Sequence, residues 1–492
     1  MAFESLQVGR VRRRASWFAA VALLAGCAVN PATGEREISL VSESQEIEMG
    51  RSSDPAATAQ FGGLYPDDGL QSYVSQIGQR LAAQSERPNL PWSFKVVDHE
   101  LINAFALPGG FIYVTRGILS HMNSEAELAA VLGHEVGHVT ARHTAQQITR
   151  QQLGVIGLIG ASIFSETVRQ NQGIAVAGMG LLLLRYGRDA EREADALGFR
   201  YMTRTGHHPE GMSRVMQTLA STSPTSAEMG IPSWLLSHPD PGDRVAANDR
   251  RIASAGASLD GLEIREAALL EHLDGLVFGP DPRAGFFIAE RFVHPTLRFE
   301  ITYPRGWTVV NGPEAVDGIS PDETAALQVT FASEASLDAA MGAFASIEGV
   351  EIIESGSMRT NGLDTRAATF VAGTPDGQML AGRVHFVSHG GDIYRLLAYA
   401  GEESWRRGAG EGAVNAMETF EALSSGEFRN VAPDRIRIVR LERAMTGAQF
   451  LAAYPSTVTD EEVLLANQVE ADQQLERGRL MKQIAGGHIP RS

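Results

Sequence analysis

The chain contains one cysteine, Cys27, in 492 residues. No intrachain disulfide can therefore form, even in an oxidising compartment, and stability must come from packing and perhaps metal. Basic residues are also scarce: 42 Lys and Arg against 59 Asp and Glu give a formal net charge of −17. Nucleic-acid binders need clustered cations to release counterions from phosphates, so that class is excluded. No clear membrane span stands out either. Two Gly-rich apolar stretches, Leu153 to Phe164 and Gly173 to Leu184, each fall short of the ~20 residues a transmembrane helix needs. Joined into one span, they would set Glu166 and Arg169 near mid-membrane at about 2.5–3.5 kcal/mol each. They read as buried or lid-forming helices, with membrane insertion the competing reading.

What is present begins with a processing signal. Arg10, Arg12, Arg13 and Arg14 form a basic segment ahead of the apolar run Trp17 to Ala25, which is too short to span a bilayer. The run ends in Leu24-Ala25-Gly26-Cys27, which resembles the bacterial lipobox. That resemblance implies a signal peptide over residues 1–26 and a mature chain lipidated at Cys27 and held at a membrane surface. Ala28 stands where Asp would mark inner-membrane retention, so the periplasmic face of the outer membrane is favoured.

The length predicts two or three domains. Ser42 to Met49 predicts a short amphipathic helix and Ser93 to Val97 a strand. Residues Asn103 to Leu107, Pro108-Gly109-Gly110 and Phe111 to Thr115 read as strand, turn and strand, because glycine supplies the positive φ of a tight reversal. Ser124-Glu125-Ala126-Glu127 is a capping box that starts a helix through Leu128, Val131, Leu132, Val136 and Val139. Further helices are expected from Asp189 to Thr205, stopped by Gly206, from near Pro209, and after Asp240-Pro241. This mainly helical region with its small hairpin spans 27–275 and ends at a Pro/Gly-rich linker over 279–285. An α+β domain over 286–426 follows, with strands at Leu327 to Phe331, Val384 to Val387 and Ile393 to Tyr399 and helices at Leu337 to Phe344 and Val414 to Leu423. Last comes a small module over 433–486, with a strand at Ile436 to Val439 and a helix at Gly447 to Ala453.

The chemistry concentrates in His134-Glu135-Val136-Gly137-His138. Side chains four apart share one helix face, so both imidazoles can bind one Zn²⁺. Glu135 lies about 100° around the helix from His134, beside the metal and suited to be the general base. Catalytic zinc needs a third protein ligand and one open position. A metzincin would supply Gly and His where this chain has Ala141 and Thr144, so that subclass is excluded. His143 is expected off the ligand face as a solvated or capping histidine. In Asp189-Ala190-Glu191-Arg192-Glu193-Ala194-Asp195, Glu191 and Asp195 share a face while Glu193 turns away. Glu191 can then be the third ligand, and Asp195 can accept from the distal nitrogen of a ligand histidine.

His134 to His138 followed by Glu191 to Asp195 resembles the zinc metallopeptidase family of gluzincins that includes HtpX, BepA and the CAAX prenyl proteases. Asn103 to Gly110 before the motif and Ser237-His238-Pro239 with Arg244 after it also match. The lipobox puts the chain nearest the BepA-like periplasmic lipoproteins. The resemblance implies one Zn²⁺ per chain and polypeptide substrates of the envelope cleaved in quality control. It also implies His238 stabilising the oxyanion with Arg244 in support, and Asn103 and Ala104 on an edge strand that receives the substrate peptide. The alternative function is a chaperone-like outer-membrane assembly scaffold whose zinc site is largely autoinhibited. Phe299 to Trp307 resembles PsbP-like domains. Asn467, Leu475, Gly478 and Lys482 fall as in a degenerate LysM-like module, which implies envelope assembly machinery or peptidoglycan as a partner of the C-terminal segment.

Overall fold

The computed structural model describes residues 27–150, 186–221, 238, 241–374, 377–423 and 426–488. The signal segment, both Gly-rich stretches, Ser237, Pro239 and Asp240 lie outside them. Among the described residues no helix is long and apolar enough to cross a membrane. The architecture is mixed α and β with several sheets. The chain divides into one unit of residues 1–278 with 436–485 and a second of 279–435 with 486–492.

The first unit opens with a small antiparallel hairpin, β1 (Cys27–Val29) and β2 (Arg36–Ile38). Helix α1 (Glu43–Gln60) starts at a Ser42–Gln45 capping box and runs on through Pro55, well past the short helix expected. After α2 (Asp68–Ala82) come β3 (Ser93–Val97), β4 (Ala104–Leu107) and β5 (Phe111–Thr115), in the sheet order β3-β5-β4. The β4–β5 reversal needs Gly109 at φ 81° and Gly110 at φ 105°. Helix α3 (Glu125–Thr140) follows, and every one of its 16 residues is buried. Ser124 caps it by accepting from Glu127 N, while the Glu127 carboxylate reaches back one residue beyond the cap to accept from Asn123 N at 2.9 Å. Around it pack α4 (Arg188–Arg204), α5 (Glu210–Ser221) and α7 (Glu266–Leu273), and α6 (Pro241–Ala255) packs on α5 and α4.

The second unit contains a four-stranded sheet of β6 (Phe286–Ile288), β7 (Arg291–His294), β8 (Phe299–Thr302) and β16 (Glu421–Ala422), ordered β16-β8-β7-β6. A seven-stranded antiparallel sheet is built from β9 (Thr308–Asn311), β10 (Val316–Ile319), β11 (Ala325–Ala332), β12 (Val350–Thr360), β13 (Leu363–Gly373), β14 (Met379–His389) and β15 (Asp392–Gly401), in the order β12-β13-β14-β15-β11-β10-β9. Helix α8 (Leu337–Ala345) buries Met341 and Phe344 against Phe370 and Phe386. Helix α9 (Glu411–Glu418) buries Ala413, Ala416 and Met417 with Phe299, Tyr394 and Phe420.

The C-terminal segment contains β17 (Arg435–Arg440), β18 (Met445–Thr446), α10 (Gly447–Ala453), α11 (Asp460–Asn467), β19 (Gln474–Leu475) and β20 (Leu480–Ala485). The sequence suggests a module of its own. In the structure residues 436–485 belong to the first unit, because Ile436, Phe450, Val463, Met481 and Ile484 join the core of Leu128, Leu132 and Leu273. Lys482 is fully buried, and its Nζ donates to Ser120 O, Met122 O and Ala466 O at 2.6–3.1 Å. All three ammonium donors are thus satisfied beside the start of α3.

Candidate metal centre

Two helices build the site, and glycine lets them approach. A Cβ on Gly198 of α4 would lie 3.0 Å from His134 N, and one on Gly137 of α3 would lie 3.0 Å from Ala194 O. This crossing brings His134 and His138, one turn apart on α3, against Glu191 in the first turn of α4. His134 Nε2 and His138 Nε2 are 3.0 Å apart. Glu191 lies 3.4 Å from His138 Nε2 through Oε1 and 3.5 Å from His134 Nε2 through Oε2. An ion held at about 2.0–2.1 Å in tetrahedral geometry separates its donors by ~3.3 Å, so these side chains fit one metal ion without rearrangement.

His238 joins them. Its Nδ1 is 3.1 Å from Glu191 Oε1 and 3.2 Å from His134 Nε2. Ligand atoms of His134, His138, Glu191 and His238 all lie within 4.8 Å of one another.

Glu135 is 1% exposed, and among the described residues neither carboxylate oxygen has a hydrogen-bond partner. Burial pushes its pKa up, against the pull of His238 and His134. His238 Nε2 lies 3.6 Å from its Oε1. Asp195 Oδ1 stands 2.9 Å from His134 Nδ1. Arg244 donates through Nε to Asp195 Oδ2 at 2.8 Å and through Nη2 to Oδ1 at 2.7 Å, and its Nη1 lies 2.9 Å from Glu191 Oε2. Burial alone would raise the Asp195 and Glu191 pKa values. The Arg244 guanidinium for the first, and the imidazoles of His238, His134 and His138 for the second, outweigh it and hold both carboxylates well below their ordinary range.

Ala104 begins β4, which packs on α3, and Asn103 immediately precedes it. Among the described residues the outer edge of β4 carries no strand, and the buried Asn103 Oδ1 has no partner. Beside His134 and Glu135 lies a small recess, with room for about one water, whose walls include Val131, Met212, Val215, Met216 and Leu219. Cys27 is the first residue of β1.

Three features were not read from the sequence. His143 is not solvated but 3% exposed, with its Nδ1 2.9 Å from His138 Nδ1. A 3–4-residue helical count misplaces it, because Arg142 at φ 61° ends the helical path and swings His143 back. The Tyr186 ring stacks on His138 at 4.0 Å, and its hydroxyl meets Thr144 Oγ1 at 2.8 Å; no motif marks it. Gly198 could have been found as the small residue seven after Glu191, two helical turns along the same face.

Residues 69–252 match peptidase family M48. The beta-barrel assembly-enhancing protease of Yersinia pestis is 33% identical over 192 residues, covering 37% of this chain and 39% of that protein. The mitochondrial metalloendopeptidase OMA1 of Schizosaccharomyces pombe is 34% identical over 180 residues, covering 33% and 52%. The chain thus spans between two fifths and about half the length of these relatives. The solution structure of cyanobacterial PsbP from Synechocystis is 15% identical with a TM-score of 0.22, covering 28% of this chain and 94% of that one; a score so low assigns no fold. The helix that carries both histidines and the helix that answers with Glu191 both fall inside 69–252, the stretch that matches peptidase family M48.

Proposed function

We propose that the chain is a zinc-dependent metalloendopeptidase acting on polypeptides of the bacterial envelope in protein quality control, with His134, His138 and Glu191 holding one Zn²⁺ and Glu135 as general base. The observation that carries this reading is Glu135: a buried carboxylate with no hydrogen-bond partner among the described residues, beside the imidazoles and second carboxylate of the metal-ligand group. A buried acceptor left unpaired is costly, and such groups concentrate where chemistry uses them. Zinc, when bound there, supplies Lewis acidity that activates water and polarises a carbonyl.

The chain's own residues do the rest. Glu135, its proton affinity raised by burial, takes a proton at a carboxylate oxygen and returns it to the leaving amine. Asp195 fixes the His134 ring through Nδ1, and Arg244 clamps Asp195 and Glu191 together. The edge of β4 at Ala104, with Asn103 just before it, pairs with an extended peptide. His238 donates to the developing oxyanion with Arg244 behind it. The test is metal analysis with casein cleavage for wild type, Glu135→Gln and Glu191→Ala. Zinc retained with activity lost in the first variant, and both diminished in the second, is expected; cleavage by Glu135→Gln at the wild-type rate would contradict it.

One observation favours a second reading, that of an assembly scaffold with an autoinhibited site. His238 stands within the ligand group itself, where it can take the position that substrate needs. The His238→Ala variant separates the two roles: cleavage falls if His238 serves the oxyanion and rises if it closes the site.

Finer assignments complete the proposal. Cys27 is lipidated and holds the chain at the periplasmic face of the outer membrane, with 1–26 removed; loss of membrane attachment in Cys27→Ser on carbonate extraction tests it. The α+β unit is a PsbP-like accessory domain. The LysM-like spacing at Asn467 and Lys482 supports envelope assembly machinery or peptidoglycan as a partner of the C-terminal segment.

A further inference from the structure

The two imidazoles are held from behind in different ways. His134 Nδ1 meets the Asp195 carboxylate at 2.9 Å. His138 Nδ1 meets another imidazole, His143 Nδ1, at 2.9 Å. From there the contacts run outward: His143 Nε2 is 3.4 Å from Glu193 Oε2, and Glu193 Oε1 accepts from Asn30 Nδ2 at 3.2 Å. Asn30 is 1% exposed. Its amide also donates to Glu37 Oε1, and its Oδ1 accepts from Ala32 N and Thr33 N. The residue that closes the turn between β1 and β2 is therefore the residue that reaches Glu193.

Proton placement along this line has one consistent solution. With Nε2 turned to the metal position, His138 carries its proton on Nδ1 and donates it to His143 Nδ1. His143 then carries its own proton on Nε2, where Glu193 accepts it. A second proton on His143 would set two N–H groups head to head. Glu193 is a fit terminus, since one carboxylate oxygen faces His143 Nε2 while the other accepts from Asn30 Nδ2.

We infer that His143, Glu193 and Asn30 form a relay that positions His138, making the N-terminal hairpin a working part of the metal site; this rests on the zinc reading above. These are positioning residues. None of them is a motif residue of the His134–His138 pair, and Asn30 lies more than a hundred residues before it in the chain.

The experiment measures zinc dissociation constants by chelator competition on the full chain, visible spectra of the Co²⁺-loaded form, and the melting temperature of the metal-free form. His143→Phe is expected to weaken zinc binding ~10–100-fold, Glu193→Gln less, and Asn30→Ala least. His143→Gln, whose amide oxygen can still accept from His138, restores most of the affinity and the cobalt spectrum. Arg36→Ala, in the same hairpin, changes neither. The relay is overturned if His143→Phe and Glu193→Gln bind zinc within twofold of wild type, or if weakened binding tracks a matching drop in metal-free melting temperature. Failure of wild type itself to bind one zinc would instead sink the peptidase reading, so the two failures are distinguishable.

Discussion

The two units bury different things. The first hides His134, Glu135, His138, Glu191, Asp195 and Arg244 around one point, and elsewhere Glu46 with Arg87, Glu127 with Lys482, and Arg116. Among the described residues the second unit buries no Asp, Glu, Lys or Arg; its buried polar side chains are Ser320, Thr360, Thr365 and His385. Its interior is Phe292, Phe299, Leu327, Leu396 and Phe420. Taking a charge from water costs several kcal/mol unless it is paired. A fold carries that cost where chemistry needs it, so the contrast marks the first unit as the reacting one and the second as a scaffold or surface.

The largest effect that tests this contrast is on catalysis. Glu135→Gln should lower peptide cleavage by ~10²–10⁴-fold, the usual worth of a general base, with zinc content unchanged. Arg244→Ala strands the buried Asp195 carboxylate and should cost the first unit about 3–5 kcal/mol in denaturant unfolding; a loss under about 1 kcal/mol would show that the charge cluster is not a paired one. Leu396→Ala in the second unit should cost about 2–5 kcal/mol there, yet leave zinc content and cleavage as they were. If cleavage falls with it, the division of labour is wrong.

The pH response should be smaller and one-sided. Glu125, at the start of α3, would be raised by burial, but hydrogen bonds from His207, Tyr73 and Arg265 hold its carboxyl well below the ordinary range. A folded pKa below the unfolded one gives stability that is complete above about pH 4.5 and is lost as pH falls below it. The first unit should therefore weaken on acidification from pH 6 to pH 3, and Glu125→Gln should flatten that slope. The smallest effect belongs to the second unit's surface. Ile353 is 59% exposed, and Ile353→Glu should shift stability by no more than ~0.5 kcal/mol, as read by thermal unfolding.

Legibility in the sequence followed the same division. In the first unit the cap at Ser124, the glycine turn before β5 and the start of α4 are local signals, and each element lies within a few residues of where those signals place it. The His143 contact was hidden because a single left-handed residue, Arg142, undoes helical counting. The integration of the C-terminal segment was hidden because Lys482 reads as a surface lysine until three carbonyls are seen around it. In the second unit β12 and β13 escaped notice. β12 is exposed along most of its length and shows no apolar alternation. The signal that could have found the pair is Asn361-Gly362, with φ of 49° and 86°, a two-residue hairpin turn between Thr360 and Leu363.

All of this depends on His134, His138 and Glu191 binding one ion together. The direct measurement is zinc content and the zinc K-edge absorption spectrum of the full chain beside Glu191→Ala. The account predicts one zinc per wild-type chain, ringed by nitrogen and oxygen at about 2.0–2.1 Å with imidazole scattering, and loss of tight binding in the variant. A wild-type chain that takes up no stoichiometric zinc, or a Glu191→Ala spectrum and affinity equal to wild type, would contradict it.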